Sequence, residues 1–508
     1  MGIIIRQSVK GTVVSYVGAA IGFITTFFVL TNFLTAEEIG LTRVLVDAAT
    51  VFAGLAQLGT TSSAIRYFPY FKDGEKDKGF FFWTLVVPFV GFLIYSLFFW
   101  LLKEPISGVF AKNSSLFVDY YDFIFPLGFF LLYMSVFEVN SNLLLRIVVP
   151  KFIREILVRV LTLASYLLYA FDLLSLHGFI IAFSSVYAIA TLLNIIYLFS
   201  LKKVSLKPNF KFIGKALAKD YLVYTLFLIA GALGGVIAPS INSFFISAKM
   251  GLNYAGIFAI AGYMTSIIEI PYRSLGTIAQ PHISEAIKEQ DVARANVLCK
   301  SISLHQLLAG FFIFLAIWIN IDLIFELLPK GEIYVAGKWV VFIMGLSKLF
   351  NSAYSVGVTV LRYSRYFYMS LIFTFMFTAI AIVLNNKLIP LWGINGAALA
   401  SLVSYVIYYL VLLGLVRWKV KTSPFSWKQL QVFLLVCFLF LCDWLWTGSL
   451  SALFLKIPLP GLYARIIEAV TKTVLILGTG LVLTYVWNIS EEANRLLNNI
   501  LTRLRLKK

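Results

Sequence analysis

The sequence predicts an all-α polytopic membrane protein of about fourteen transmembrane helices, built as two pseudo-symmetric six-helix lobes plus two extra C-terminal helices. Three observations carry that prediction. The 508 residues are 60% apolar and 13% charged, with a mean hydropathy of +0.90, far from the roughly 45–50% apolar, 25% charged balance of a soluble domain. Apolar runs of 20 or more residues recur along the whole chain, and about 20 residues at 1.5 Å each are what a helix needs to cross a hydrocarbon core of about 30 Å. Finally, the basic residues alternate between successive loops. A transmembrane β-barrel is excluded, because its strands would read as short alternating segments.

The first span, residues 9–34, is too long for a signal-peptide core and lacks a clear small-residue cleavage site, so it is expected to remain as a helix. Gly2 opens no myristoylation motif, because Arg6 stands where Ser or Thr is required. The spans that follow lie near 40–65, 79–102, 120–145, 153–173 and 178–201 in the first lobe (1–201). A basic linker covers 202–220. The second lobe (221–416) holds spans near 221–248, 254–280, 302–328, 338–361, 366–389 and 393–416. An added pair occupies 429–449 and 464–488 within 417–488. In the tail, 489–508, one helical face carries Leu496, Leu497, Ile500, Leu501 and Leu504, with Arg495, Arg503 and Arg505 elsewhere. That pattern predicts an interfacial helix on an anionic cytoplasmic leaflet. No loop exceeds about 20 residues, which leaves no room for a folded extramembrane domain.

The formal charge of +18, from 42 Lys+Arg against 24 Asp+Glu, would suggest a nucleic-acid partner in a soluble chain. Its distribution says otherwise. Counting loops on the two sides alternately puts 30 cations on the side of the termini, 8 opposite and 4 inside spans. Over short loops that is a positive-inside pattern, and it predicts cytoplasmic termini. No nucleic-acid partner is expected. Cys299, Cys437 and Cys442 lack metal-like spacing, and His177, His282 and His305 do not cluster, so no metal or cofactor is expected.

A weak internal repeat runs through the chain. Leu34-Thr-Ala-Glu-Glu-Ile-Gly40 after the first span matches Met250-Gly-Leu-Asn-Tyr-Ala-Gly256 after the seventh. Gly178, Ala182 and Tyr187 match Gly396, Ala400 and Tyr405 at the openings of the sixth and twelfth spans. Both matches are offset by six helices, which predicts parallel repeats about an axis along the membrane normal, with a substrate site at their interface.

The residues Arg6-Gln-Ser-Val-Lys-Gly11, Phe33-Leu-Thr-Ala-Glu-Glu-Ile-Gly40, Gly59-Thr-Thr-Ser-Ser-Ala-Ile-Arg66-Tyr-Phe and Gly393-Ile-Asn-Gly396-Ala-Ala-Leu-Ala400 resemble polysaccharide-export flippases. These are the O-antigen (Wzx-type) flippases of the multidrug/oligosaccharidyl-lipid/polysaccharide (MOP) superfamily, which includes the multidrug and toxin extruders (MATE). The resemblance spans essentially the whole chain and implies a MATE/MOP-like fold. It implies a transporter, not an enzyme, in the bacterial cytoplasmic (inner) membrane, moving an undecaprenyl-pyrophosphate-linked oligosaccharide outward by alternating access. It further implies a functional monomer whose partners are the lipid-linked oligosaccharide, anionic membrane lipids and the polysaccharide assembly machinery, with H+ or Na+ as the coupling ion.

A charge at the bilayer centre costs roughly 2.5–3.5 kcal/mol on insertion scales, so intramembrane ions are functional candidates by default. Arg43 and Asp47 are four apart in the second span, read either as a salt bridge near the outer interface or as a cavity-lining pair. Glu269 and Arg273 are four apart in the eighth span, with Pro271 between them predicting a kink. The repeat relates these two spans and suggests related places for the two pairs. Lys348 in the tenth span shares a stripe with Asn351 and has no acid nearby in sequence, so it is expected to face another helix, water or an anionic substrate. Glu138 in the fourth span is a candidate H+ or Na+ site, as is Asp47; pairing of Glu138 with Arg43, Arg273 or Lys348 is the alternative. Arg66 and Arg146 are candidates for meeting pyrophosphate at the cytoplasmic entrance, since guanidinium matches phosphate oxygens bidentately. Pro239 and Pro271 are candidate hinges, and Lys472 reads as a packing or snorkelling residue.

Three other readings stand beside the flippase: a MATE-type multidrug or cation antiporter, a lipid II flippase, and an integral-membrane glycan polymerase. The polymerase is disfavoured because the outer loops are short and carry only scattered Glu37, Glu38, Glu104 and Asp119. No nucleotide-binding P-loop is present, so the energy is expected from an ion gradient, the membrane potential or substrate flux.

Overall fold

A computed structural model describes residues 14–492 and 494, apart from 16, 74–75, 78, 205, 208–214 and 450–460. Gly2, Arg6, the start of the first span, part of the basic linker and nearly all of the tail helix lie outside the described residues. Among the described residues the fold is all-α, relieved only by a hairpin pairing Lys72–Asp73 with Lys76–Asp77. Among the described residues, eleven helices are long and apolar enough to cross a membrane.

The spans predicted beyond those eleven have identifiable causes. The first is the shorter apolar helix α1 (Val17–Phe33). The fifth, predicted at 153–173, carries Arg154, Glu155 and Arg159 and consists of a π-helical turn at Ile153–Leu157, preceded by the short helix Val148–Phe152, and the helix Val158–Ala170. The eleventh and twelfth run together as Met369–Lys419, interrupted at Trp392 and Gly393, where Gly393 takes φ +57°. Ile394, the first residue after that break, stands two before Gly396, as Leu176 at the start of Leu176–Ser200 stands two before Gly178. Corresponding glycines therefore open corresponding helices, as the repeat requires.

The remaining helices used below are α2 (Ala36–Ala56), α3 (Thr60–Phe71), α4 (Phe80–Leu101), α5 (Ile124–Leu143), α6 (Lys215–Ile237), α7 (Ile241–Met250), α8 (Leu252–Ser266), α9 (Ile270–Lys288), α10 (Val292–Trp318), α11 (Lys338–Tyr354), α12 (Trp427–Ser449) and α13 (Gly461–Val486). Several predicted spans are thus two helices each. The seventh breaks at a 3-10 turn, Ala238–Ser240, that contains Pro239. The eighth breaks at another, Ile267–Glu269. The kink expected at Pro271 falls just before it, because Pro271 stands in the first turn of α9, where a missing N–H leaves no helical bond unmade.

By packing, the chain divides into two units: residues 1–260, 328–333 and 374–397 form the first, and 261–327, 334–373 and 398–508 the second. In the first, a capping box opens α2, with Thr35 Oγ1 accepting from Glu38 N–H and Glu38 Oε2 accepting from Thr35 N–H. Along its most apolar stretch α2 is 78% buried, whereas α4 is 17% buried and turns Leu93, Leu97 and Trp100 outward. Phe52 of α2 is fully buried against Phe92, Phe99 and Phe125, and Gly128 of α5 leaves the space for its ring. In the second unit Phe311, Phe314 and Leu315 of α10 are buried with Ile268, Leu349, Leu435, Leu439 and Ile476. The added helices α12 and α13 are thereby joined to α10 through a shared apolar core. Lys472 of α13 lies 3.1 Å from Asp443 of α12 and donates to Ile319 O, so it packs helices together, as read from the sequence.

Candidate functional site

Glu269 closes the 3-10 turn before α9 and is buried, its side chain 9% exposed. A lone carboxylate there would be strongly disfavoured, and the structure surrounds it with donors. Lys348 of α11 places Nζ 3.1 Å from Oε1. Asn351, one turn further along α11, donates Nδ2–H to the same oxygen at 3.1 Å. Arg273, one turn into α9, donates from Nη2 to Oε2 at 3.3 Å. Tyr409 donates its hydroxyl to Asn351 Oδ1 at 2.7 Å, which fixes the amide with its nitrogen toward the carboxylate. The Tyr409 ring stacks on Tyr405 at 6.0 Å and 12°.

This cluster carries two cations and one anion. Lys348 is mostly buried at 22% exposure, but the Arg273 side chain is 70% exposed, so the excess positive charge is presented on one side. There Arg273 lines a cavity of about 230 Å³ together with Tyr272, Gln280, Gln306, Ser355 and Thr359. That is below the about 300–1,000 Å³ of a pocket for a drug-sized molecule. It admits a small polar group, not a whole oligosaccharide. Among the described residues, no three His, Cys, Asp or Glu side chains are placed to share a metal ion.

The other sequence candidates fall elsewhere. Arg43 and Asp47 form an ion pair at 3.0 Å, with Asp47 buried and Arg43 about one third exposed at 35%. They stand three and seven residues after Gly40, whereas Glu269 and Arg273 stand thirteen and seventeen after Gly256. Ten residues along a helix is about 15 Å, so the two pairs are not counterparts in the repeat. Glu138 pairs with Arg154 at 2.7 Å, and not with Arg43, Arg273 or Lys348. Lys348, expected to face another helix, water or an anionic substrate, meets Glu269 on another element. Arg66 pairs with Asp220 at 3.6 Å, while Arg146 is exposed in the turn after α5. Tyr409, Gln306, Arg154 and Asp220 were not singled out from sequence. A tyrosine hydroxyl in an apolar span must find a partner, and that signal was available for Tyr409.

The sequence matches the profile of the polysaccharide biosynthesis protein family over residues 7–287. Comparison with curated protein sequences gives no significant match. Among solved structures the chain is similar to the lipid II flippase MurJ in an inward closed conformation. The identity is 13% and the TM-score 0.71, covering 94% of this chain and 98% of that one. It is also similar to an inward-facing MATE multidrug resistance transporter of the MOP superfamily, at 15% identity and TM-score 0.60, over 81% of this chain and 94% of that one. A MOP superfamily transporter from Pyrococcus furiosus, described as having a binding pocket of reversed polarity, gives 14% identity and TM-score 0.52, over 82% and 95%.

Proposed function

The chain belongs to the polysaccharide biosynthesis protein family, and from that premise we propose that this membrane transporter is a flippase for an undecaprenyl-pyrophosphate-linked oligosaccharide. The substrate moves from the cytoplasmic to the outer leaflet of the bacterial cytoplasmic membrane by alternating access, with both termini cytoplasmic. The observation that carries this reading is the Glu269 cluster. One buried carboxylate holds two cations and leaves Arg273 facing a small cavity where Gln280, Gln306, Ser355 and Thr359 stand among Ile283, Ile302 and Val356. A guanidinium placed there meets a pyrophosphate oxygen by charge-assisted hydrogen bonds, while the glycan and the lipid lie outside so small a space. The glycan is an O-antigen, capsule or exopolysaccharide repeat unit. Coupling to H+ or Na+ through Asp47, the more deeply buried of the two candidate carboxylates, supplies direction.

Deletion of the gene followed by lipid extraction tests the reading. The expected result is accumulation of one undecaprenyl-linked glycan on the cytoplasmic leaflet. Unchanged lipid-linked glycans would overturn it. The fold shared with a multidrug transporter favours export of organic cations as the second reading, and unchanged glycans with new sensitivity to cationic drugs would put that reading first. Accumulation of lipid II instead would make the chain a lipid II flippase.

A further inference from the structure

A second cluster lies at the end of α3 that the charge distribution places in the cytoplasm. Arg66 and Tyr67 there meet the start of α6, so the second and seventh spans, one from each repeat, are fastened together within the first unit. Tyr67 donates its hydroxyl to Asp220 Oδ2 at 2.7 Å, and Arg66 lies 3.6 Å from the same oxygen. The Arg66 guanidinium also sits over the Tyr224 ring at 4.2 Å and over the Tyr67 ring at 5.3 Å. About one turn deeper, the hydroxyls of Ser63 and Thr225 are 3.2 Å apart.

We propose that Asp220 occupies on Arg66 the place of a substrate phosphate, and that an anionic head group arriving from the cytoplasm takes Arg66 from Asp220 and unfastens α3 from α6. The identity of that head group as a pyrophosphate rests on the proposed function. Three features make the contact exchangeable. Both charges are about half exposed, 48% for Arg66 and 58% for Asp220, and such pairs are weak and replaceable. The Tyr67 ring, on the same helix as Arg66, holds the guanidinium by cation–π contact whether or not the carboxylate is present, so Arg66 stays in position to receive another anion as its contacts with Asp220 and Tyr224 of α6 are given up. A pyrophosphate brings more charge and more acceptor oxygens to the five guanidinium donors than one carboxylate does. The Ser63–Thr225 contact is between neutral hydroxyls and opens without stranding a charge. A permanently closed structural pair would need none of this pre-positioning.

The test uses the full chain reconstituted in vesicles, with Cys299, Cys437 and Cys442 replaced by Ala and with Ser63→Cys and Thr225→Cys introduced. The rate of oxidative cross-linking reports whether α3 and α6 are fastened. Inorganic pyrophosphate is expected to slow cross-linking, and Asp220→Asn to slow it roughly 2- to 5-fold without any anion, the population change that loss of one exposed ion pair allows. Arg66→Gln should abolish the pyrophosphate effect. Sulfate at matched ionic strength should leave the rate unchanged. An unaltered rate in pyrophosphate, an equal effect of sulfate, or an undiminished pyrophosphate effect in Arg66→Gln overturns the exchange, and absence of cross-linking in the parent overturns the contact. Any of these results alongside glycan accumulation in the deletion strain rejects the latch and leaves the flippase assignment standing.

Discussion

Gly40 and Gly256 face each other in a reciprocal contact. A Cβ added at Gly40 would lie 2.0 Å from Leu252 O and 3.1 Å from Gly256 N, and one added at Gly256 would lie 1.9 Å from Ala36 O and 3.1 Å from Gly40 N. Each glycine thus approaches the carbonyl one turn before the other, the signature of a local two-fold axis. Two positions matched by the internal repeat are related by the symmetry that the repeat implies, and glycine is what lets the two backbones come this close.

Gly40→Ala and Gly256→Ala are each expected to destabilise the protein. The obstruction is backbone, which cannot swing aside as a side chain can, so the cost falls at or beyond the roughly 1–3 kcal/mol typical of overpacking. Gly262→Ala, on the same helix α8 as Gly256 but with open space at its Cβ, should leave the thermal unfolding midpoint in detergent unchanged. Equal midpoints for all three variants would refute the contact.

The Glu269–Lys348 pair predicts a second pattern. Removing one partner of a buried ion pair strands the other charge at a cost of about 3–5 kcal/mol, whereas replacing both is often neutral. Glu269→Gln, which leaves Lys348 and Arg273 without their carboxylate, is expected to reduce folded protein in the membrane more than Lys348→Met, which leaves Glu269 with Arg273. Glu269→Gln combined with Lys348→Met should recover much of the lost stability without recovering polysaccharide export. A double variant as unstable as Glu269→Gln alone would mean that the two side chains are not coupled.

The helices were legible in the sequence because each apolar run is bounded by loop charges. The break near Pro271 was legible because proline is disfavoured in a helix interior and accepted in a first turn. The partners of the charges were not. Lys348 reaches an acid on another element, and so does Glu138 in pairing with Arg154. In a soluble helix, polar and apolar stripes show which face meets a neighbour. In a membrane the lipid-facing residues are as apolar as the core, so that signal is lost. Leu97, facing outward, and Phe52, fully buried, are both simply hydrophobic in the sequence. For Tyr409 the hydroxyl signalled that a partner exists, but the same blurring left that partner, Asn351 of the Glu269 network, unreadable.

Glu138 offers a sharper distinction between structure and coupling. Its partner Arg154 is half exposed at 50%, so loss of the pair should cost no more than about 1 kcal/mol. Glu138→Gln is therefore expected to fold and to retain export across an imposed ion gradient, with Asp47→Asn losing it. A folded Glu138→Gln protein that no longer responds to the gradient would make Glu138 the coupling residue instead.

Arg273 separates binding from folding most directly. Its guanidinium touches Glu269, but its side chain is largely exposed to the cavity, and Lys348 and Asn351 still satisfy the carboxylate when it is removed. Arg273→Ala should accordingly shift stability by no more than about 1 kcal/mol, read as the thermal unfolding midpoint. Export should nevertheless collapse, because no other cation lines that cavity among the described residues. Arg273→Lys keeps the charge but loses the planar fork that engages two phosphate oxygens together. It is expected to export at a rate between those of Arg273→Ala and the unaltered protein. Export by Arg273→Ala equal to that of the unaltered protein, at equal protein level, would remove this residue from the substrate path.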